Sequence, residues 1–294
     1  MRTYVLRAVF VLVVLAPRPA QAWSFEVHQF IMGRAIALLP DALRPLFEKH
    51  RATVVERSID PDTWQTAGFN EDAPNHFLDL DWEGFGPYPF RGLPRDYAAA
   101  VAKFGIERLR NTGTLPWRTD EYAAKLRRAF EDYSRRGTFG QFTIMFFSAW
   151  LAHYVSDAHV PFHAVVNHDG QLTDQHGIHA RFEVDLFERF KDRLTIAPAS
   201  ARPITTPRDF VFEVAIEGTQ LVAPILKADL AAIGNRTVYD AEYFTSFFAA
   251  NRAVLERRIN ESITAVAGMI MGAWEAAGKP DLPLDPQSPP RRRR

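Results

Sequence analysis

From Phe25 to Leu39 apolar residues recur at the i, i+3, i+4 spacing of a helix face, and Pro40 with Asp41 ends that segment and begins another. The same periodicity predicts helices over Asp96–Asn111, Thr119–Arg136, Gln141–Asp157, Gly177–Leu194, Pro207–Ile233 and Asp240–Ala277. No Asn-Gly hairpin signal with alternating flanks occurs, so the expected fold class is all-α, a compact multi-helix single domain. The run from Phe142 to Ala152 is apolar nearly all round, which predicts a central helix buried on most faces. It is too short to cross a bilayer, which needs ~20 apolar residues. Asp60 to Pro94, rich in Gly, Pro, Asn and Asp, is expected to be a long irregular loop, and loops of that length in a compact domain are usually functional. Pro280 to Pro290 has the composition of a disordered tail, so residues 278–294 are set apart from a domain spanning 23–277.

The 294 residues are 47% hydrophobic and 24% charged, which excludes general disorder. Lys and Arg total 35 against 35 Asp and Glu, so no global basic charge argues for nucleic acid. Residues 1–22 carry three Arg and no acid, leaving the remainder acidic. That segment reads as an export signal: Arg2 and Arg7, an apolar run from Ala8 to Ala16, then Ala20-Gln21-Ala22 as a cleavage site. Cleavage there makes Trp23 the N-terminus of a secreted or periplasmic protein. There is no Cys, so disulfides, thiolate metal sites and a Cys nucleophile are all excluded, and any metal must be held by His, carboxylate or main-chain groups.

Of nine His, six fall between His153 and His179. His153 and Asp157 stand four apart on the expected buried helix, as do His179 and Glu183 on the next, so each pair shares a helix face at a spacing suited to a metal. An unpaired carboxylate at Asp157 is costly in such apolar surroundings, and a metal would satisfy it. Pro161 ends the helix and lets His163 turn back toward the same place.

The run His153-Tyr-Val-Ser-Asp157-Ala-His-Val-Pro161-Phe-His163, followed by His179-Ala-Arg-Phe-Glu183, resembles the trinuclear zinc site of the bacterial phospholipases C and the related fungal single-strand nucleases. The likeness extends to Trp23 directly after the cleavage site, to His28, and to Asp62 and His76 in the long loop. Asp60 competes with Asp62, and the separation from His76 favours Asp62. The resemblance implies the all-α fold of that superfamily and three zinc ions (Zn2+). One would be held by Asp62, His76, His153 and Asp157, a second by His163, His179 and Glu183, and a third by Trp23, His28 and the bridging Asp157. It further implies phosphodiester hydrolysis, with Asp62 orienting a water acidified by metal. His159 is expected to support the ligands, Phe77 and His176 to face substrate, and His168 to share that loop; His50 is expected at the surface.

Several features favour the phospholipase C branch. Gln65 stands where the nucleases usually have Arg, the Gly-Gly-Asn segment and disulfides are missing, and the last ligand is Glu183 rather than Asp. Thr63 and Ala73 replace the aromatic residues of a choline-lipid enzyme. The expected partner is therefore a phospholipid or other phosphodiester, with transient contact at a membrane surface. The alternatives are a single-strand nuclease or 3′-nucleotidase acting on single-stranded nucleic acid, and, in another class, a zinc-stabilised binding protein without turnover.

Overall fold

A computed structural model describes residues 25–134 and 140–284. Among these residues there are helices and turns and no strand. The expected export signal, its cleavage site, Trp23 and the Arg291 to Arg294 tail lie outside the described residues.

Helix α1 (Phe25–Ile36) buries Val27, His28, Ile31, Met32, Ala35 and Ile36, the stripe that the periodicity predicts. Short helices follow, α2 (Arg44–Lys49), α3 (Arg51–Glu56) and α4 (Asp60–Thr66). Helix α4 corrects the expectation of an irregular start to the loop: Pro61 presets the first helical turn, and Asp60 and Asp62 complement the positive end of the helix dipole. The segment expected as one helix over Asp96–Asn111 is two, α5 (Tyr97–Phe104) and α6 (Ile106–Thr112), divided at Gly105 with φ +80°. Helix α7 (Leu115–Ser134) lies against the central helix α8 (Gly140–Ala158), in which every residue from Ser148 to Ala158 is buried. The segment after His176 is not one regular helix. It runs as α9 (Ile178–Ala180), a π turn over Arg181–Asp185 and α10 (Leu186–Phe190), and π turns of this kind are frequent at functional sites. The long helices α11 (Pro207–Ile233) and α12 (Ala241–Ala276) close the bundle, the second capped by Asp240, whose Oδ1 accepts from Tyr243 N at 2.8 Å.

The main apolar core lies between α1, α7, α8, α11 and α12. A second, smaller one sits beneath the long loop, where Leu78, Leu80, Phe85, Phe90 and Leu93 pack against Leu109, Trp117 and Phe212. The loop is thus folded on its own apolar side chains. It is also tied to the chain after α8, since Leu78 N donates to His163 O at 2.8 Å and Leu80 N to Ala164 O at 3.1 Å. Gly113, at φ +91°, lets the backbone pass against the loop, and a Cβ there would meet Phe77 O at 2.1 Å.

The first residues of the expected tail are docked rather than free. Leu282 packs against the main core, Trp274 Nε1 donates to Pro280 O at 3.0 Å, and Gln141 Nε2 donates to Leu284 O at 2.8 Å. Composition alone misses this, because apolar Leu282 and a few backbone acceptors suffice to hold a proline-rich strand of chain.

Candidate metal centre

Helix α8 delivers His153 and Asp157 at its buried C-terminal end. His153 Nδ1 donates to Ser58 O at 2.9 Å, which aims Nε2 away from the backbone and into the interior. Around that nitrogen gather His28 from α1, Asp62 from α4 and His76 from the turn that follows Asn70–Asn75. His153 Nε2 lies 3.5 Å from Asp62 Oδ1 and 3.4 Å from Asp157 Oδ2, and the His28 ring stacks on the His153 ring at 4.0 Å. His76 Nδ1 is 3.0 Å from Asp157 Oδ2, whereas the other oxygen, Oδ1, lies 3.4 Å from His28 Nε2. Asp157 therefore faces two sets of partners through its two oxygens.

A second group sits on the far side of the turn after α8. His163 Nδ1 donates to His76 O at 2.6 Å, leaving Nε2 3.8 Å from Glu183 Oε1. His179 Nε2 and Glu183 Oε2, from the helical segment with the π turn, are 2.5 Å apart. The bond from His163 to His76 joins the two groups through the loop backbone.

The electrostatics follow from burial and carboxylates. Burial and the charge of His153 push His28 down to about 3, and burial pushes His179 down to about 4. Burial also pulls at His76, but hydrogen bonds with Asp157 and Asp72 outweigh it and lift the ring to about 10. Burial would raise Asp157, yet the charge of His153 and the bond from His76 hold it well below the usual carboxylate range. The charges of Asp157 and Asp62 likewise raise His153 against its burial, so the two carboxylates favour positive charge at His76 and His153.

The donor set fits zinc. Tetrahedral Zn–N and Zn–O bonds near 2.1 Å put neighbouring ligand atoms about 3.4 Å apart, and the contacts in the first group run from 3.0 to 3.9 Å. His28 Nε2, Asp62 Oδ2, Asp157 Oδ1 and His179 Nδ1 are buried without a hydrogen bond among the described residues. Buried polar atoms in a folded protein normally have partners, so these four atoms call for one. Three combinations have ligand atoms close enough to share an ion: His28 with His153 and Asp157, Asp62 with His76 and His153, and His163 with His179 and Glu183.

Other residues that the sequence singles out are placed differently. Asp60 bonds to Arg57 at 3.1 Å and stays outside the cluster. His159, expected to support the ligands, turns away: its Nδ1 donates to Val155 O at 2.7 Å, and it lines a separate cavity with Arg258 under the segment from Ala197 to Ile204. His176 is exposed and contributes its carbonyl to Arg181. Phe77 and His168 do line the cleft over the metal-ligand atoms. His50 is half-buried and bonded to Gln141 at 2.8 Å. Sequence reasoning misses Asp72, whose Oδ2 lies 3.4 Å from His76 Nε2 and accepts from Tyr154 OH at 2.7 Å, while Oδ1 accepts from Arg118 Nη2, also at 2.7 Å. A signal for it exists, a carboxylate four positions before a ligand His, the order reversed from the other two pairs.

The fold is all-α, and its buried histidine–carboxylate groups form a candidate metal centre. The sequence profile described as zinc dependent phospholipase C matches residues 27–219, and the chain belongs to that family. No curated protein matches. Among solved structures, the one titled "Crystal Structure Analysis of Clostridium perfringens alpha-Toxin Isolated from Avian Strain SWCP" superposes with a TM-score of 0.50 at 13% identity. The match covers 89% of this chain and 65% of that one, a likeness of fold.

Proposed function

We propose that the chain is a secreted phosphodiester hydrolase of the phospholipase C type that carries three zinc ions. The observation that supports this most is the convergence of Asp62, His76, His163 and His179 on one cleft of about 620 Å³. The first ion would be held by Asp62, His76, His153 and Asp157, the second by His163, His179 and Glu183. The third would take His28, Asp157 and the amine and carbonyl of Trp23. Zinc supplies Lewis acidity toward phosphoryl oxygens and acidifies a water. Asp62 is assigned the catalytic role, since it lines the cleft as well as facing His153, so it can orient the attacking water and accept its proton. Phe77 walls the cleft beside His76 and excludes water from one side of the reacting phosphate.

Among the described residues no Lys or Arg lines this cleft, which disfavours a long polyanion and favours a single phosphodiester of a lipid. Among the described residues no helix is long and apolar enough to cross a membrane, which accords with a lipid substrate met at the surface. The test is metal analysis of protein beginning at Trp23, with hydrolysis of phospholipid vesicles, single-stranded DNA and bis(p-nitrophenyl) phosphate measured side by side. Three zinc ions per chain and lipid turnover are expected. One zinc or none, with no phosphodiester cleaved, would leave a binding protein; faster cleavage of DNA than of lipid would move the assignment to the nuclease branch.

A further inference from the structure

The chain from Phe77 to Asp81 forms one wall of the cleft and is held as firmly as a core element. Leu78 and Leu80 are buried in the second apolar cluster, and their amides donate to His163 O and Ala164 O. Between them Asp79 N donates to Thr112 O at 2.7 Å, and the Asp79 side chain lines the cleft together with Asn111 and the metal-facing histidines. Alternation along an extended segment produces this arrangement: its neighbours face the core, so Asp79 must face the opening.

The carboxylate is half-buried and has no hydrogen bond or ion pair among the described residues. Asp81, two positions on, differs: its Oδ1 accepts from Val166 N at 2.7 Å. Among the described residues no Lys or Arg lines the cleft to answer Asp79, and its polar wall beyond the metal-facing Asp62 and histidines is neutral Gln65, Thr66, Asn70 and Asn111. Burial and the nearby charge of Asp81 push the Asp79 carboxyl up to about 7, the cost of holding it there alone.

We propose that Asp79 recognises the head group that stays on the phosphate when the diacylglycerol alkoxide leaves, and that the cleft selects phosphodiesters whose head group carries a primary ammonium. This rests on the phosphodiesterase reading above. A primary ammonium offers N–H donors for charge-assisted hydrogen bonds to the carboxylate. A quaternary ammonium has no N–H to give and is held best by a cage of aromatic faces. Here the aromatic residues at the cleft are Phe77 and the fully buried Phe162, with small Ala73 on another side, a partial cage at most. An anionic head group would meet Asp79 with like charge, and a neutral polyol would leave that charge unbalanced.

The experiment uses the zinc-loaded full chain and two readouts. Calorimetry compares binding of free phosphoethanolamine and phosphocholine, which needs no turnover. Kinetics compare short-chain diacyl phosphoethanolamine and phosphocholine lipids in the same mixed micelles. Tighter binding and higher kcat/KM are expected for the ethanolamine compounds, by about ten-fold, the worth of one hydrogen bond to a charged group. In Asp79→Asn the ratio between the two head groups should fall toward one in both readouts. Equal binding of the two by the unaltered chain overturns the proposal, with or without the variant. So does a variant that loses activity on both lipids equally while keeping the ratio, since that is the mark of a structural role. Should the unaltered chain cleave neither lipid, the phosphodiesterase reading fails on that result, and the calorimetric ratio still decides the role of Asp79.

Discussion

Two buried polar regions meet at the π turn, and they are built on opposite plans. On one face of it, Arg181 reaches into a network with Asp229, Tyr243 and Gln175. Asp229 Oδ1 accepts from Arg181 Nη2 at 3.2 Å and from Tyr243 OH, and Oδ2 accepts from Gln175 Nε2 at 2.7 Å. The guanidinium also donates to His176 O and Gln175 O and lies over the Tyr239 ring at 3.9 Å. On the other face, His179 and Glu183 look toward His163 in a group of acid and imidazoles whose ligand atoms are close enough to share an ion. The Arg181 network brings its own counter-charge and closes on itself. The histidine–carboxylate groups leave His28 Nε2, Asp62 Oδ2 and Asp157 Oδ1 buried without a hydrogen bond among the described residues, a deficit that a cation would fill. Self-sufficiency marks a structural device, and deficit marks a binding one.

The comparison breaks first if Asp157 proves dispensable. Asp157→Asn should cost two of the three proposed zinc ions and nearly all phosphodiester hydrolysis, because one carboxylate faces both His28 and the His76–His153 pair. Metal analysis by mass spectrometry checks this, and loss of a single ion with activity kept would contradict bridging.

A change at the terminus tests the same region without touching a side chain. Retaining Met ahead of Trp23 converts a free amine, with an ordinary pKa of ~8, into an amide that cannot bind metal. One zinc fewer and much slower hydrolysis are expected relative to protein starting at Trp23. Equal zinc and equal rates in both samples would remove Trp23 from the ligand set.

The Arg181 network should respond in the opposite sense. Asp229→Asn leaves a buried guanidinium short of its counter-charge, a loss of about 3 kcal/mol or more in unfolding free energy. Zinc content at saturating metal should remain unchanged. Calorimetric melting with and without zinc separates these outcomes, and a variant that loses metal before it loses stability would join the two regions into one.

How much of this is legible in the chain depends on whether partners lie near in sequence. His153 with Asp157 and His179 with Glu183 can be read directly, since helical spacing puts i and i+4 on one face. The buried nature of α8 is equally plain from its apolar run. Asp62, His28 and His76 need a family pattern, because they converge on His153 from separate elements and no periodicity links them. Periodicity also runs straight through Gly105, although its positive φ divides α5 from α6. His159 does not support the ligands as expected, because proximity along the motif says nothing about direction: just past α8 its ring folds back onto Val155 O and lines the cavity beside Arg258. Asp79 and Asp72 are not singled out by the sequence. Their roles depend on long-range contacts, to Thr112 and His163 for the loop wall and to Arg118 and Tyr154 for the brace.

Asp72 falls between the two plans and gives the finest test of the comparison. It is satisfied internally by Arg118, Tyr154 and Asn75, as in the Arg181 network, yet its second oxygen also reaches His76, a ligand on the deficit side. A carboxylate facing the outer nitrogen of a ligand histidine fixes the ring and raises its basicity, and losing such a partner typically costs about 10–100-fold in metal affinity. Asp72→Asn keeps the size of the side chain and its bond to the Tyr154 hydroxyl while removing the charge. Zinc affinity should fall within that range, with the number of ions at saturation unchanged. Competition with a chelator of known affinity measures it. Unaltered affinity with a lowered melting temperature would make Asp72 a structural anchor for Arg118 alone. A fall in affinity with the melting temperature of the metal-free protein unchanged would put Asp72 on the binding side, acting through His76.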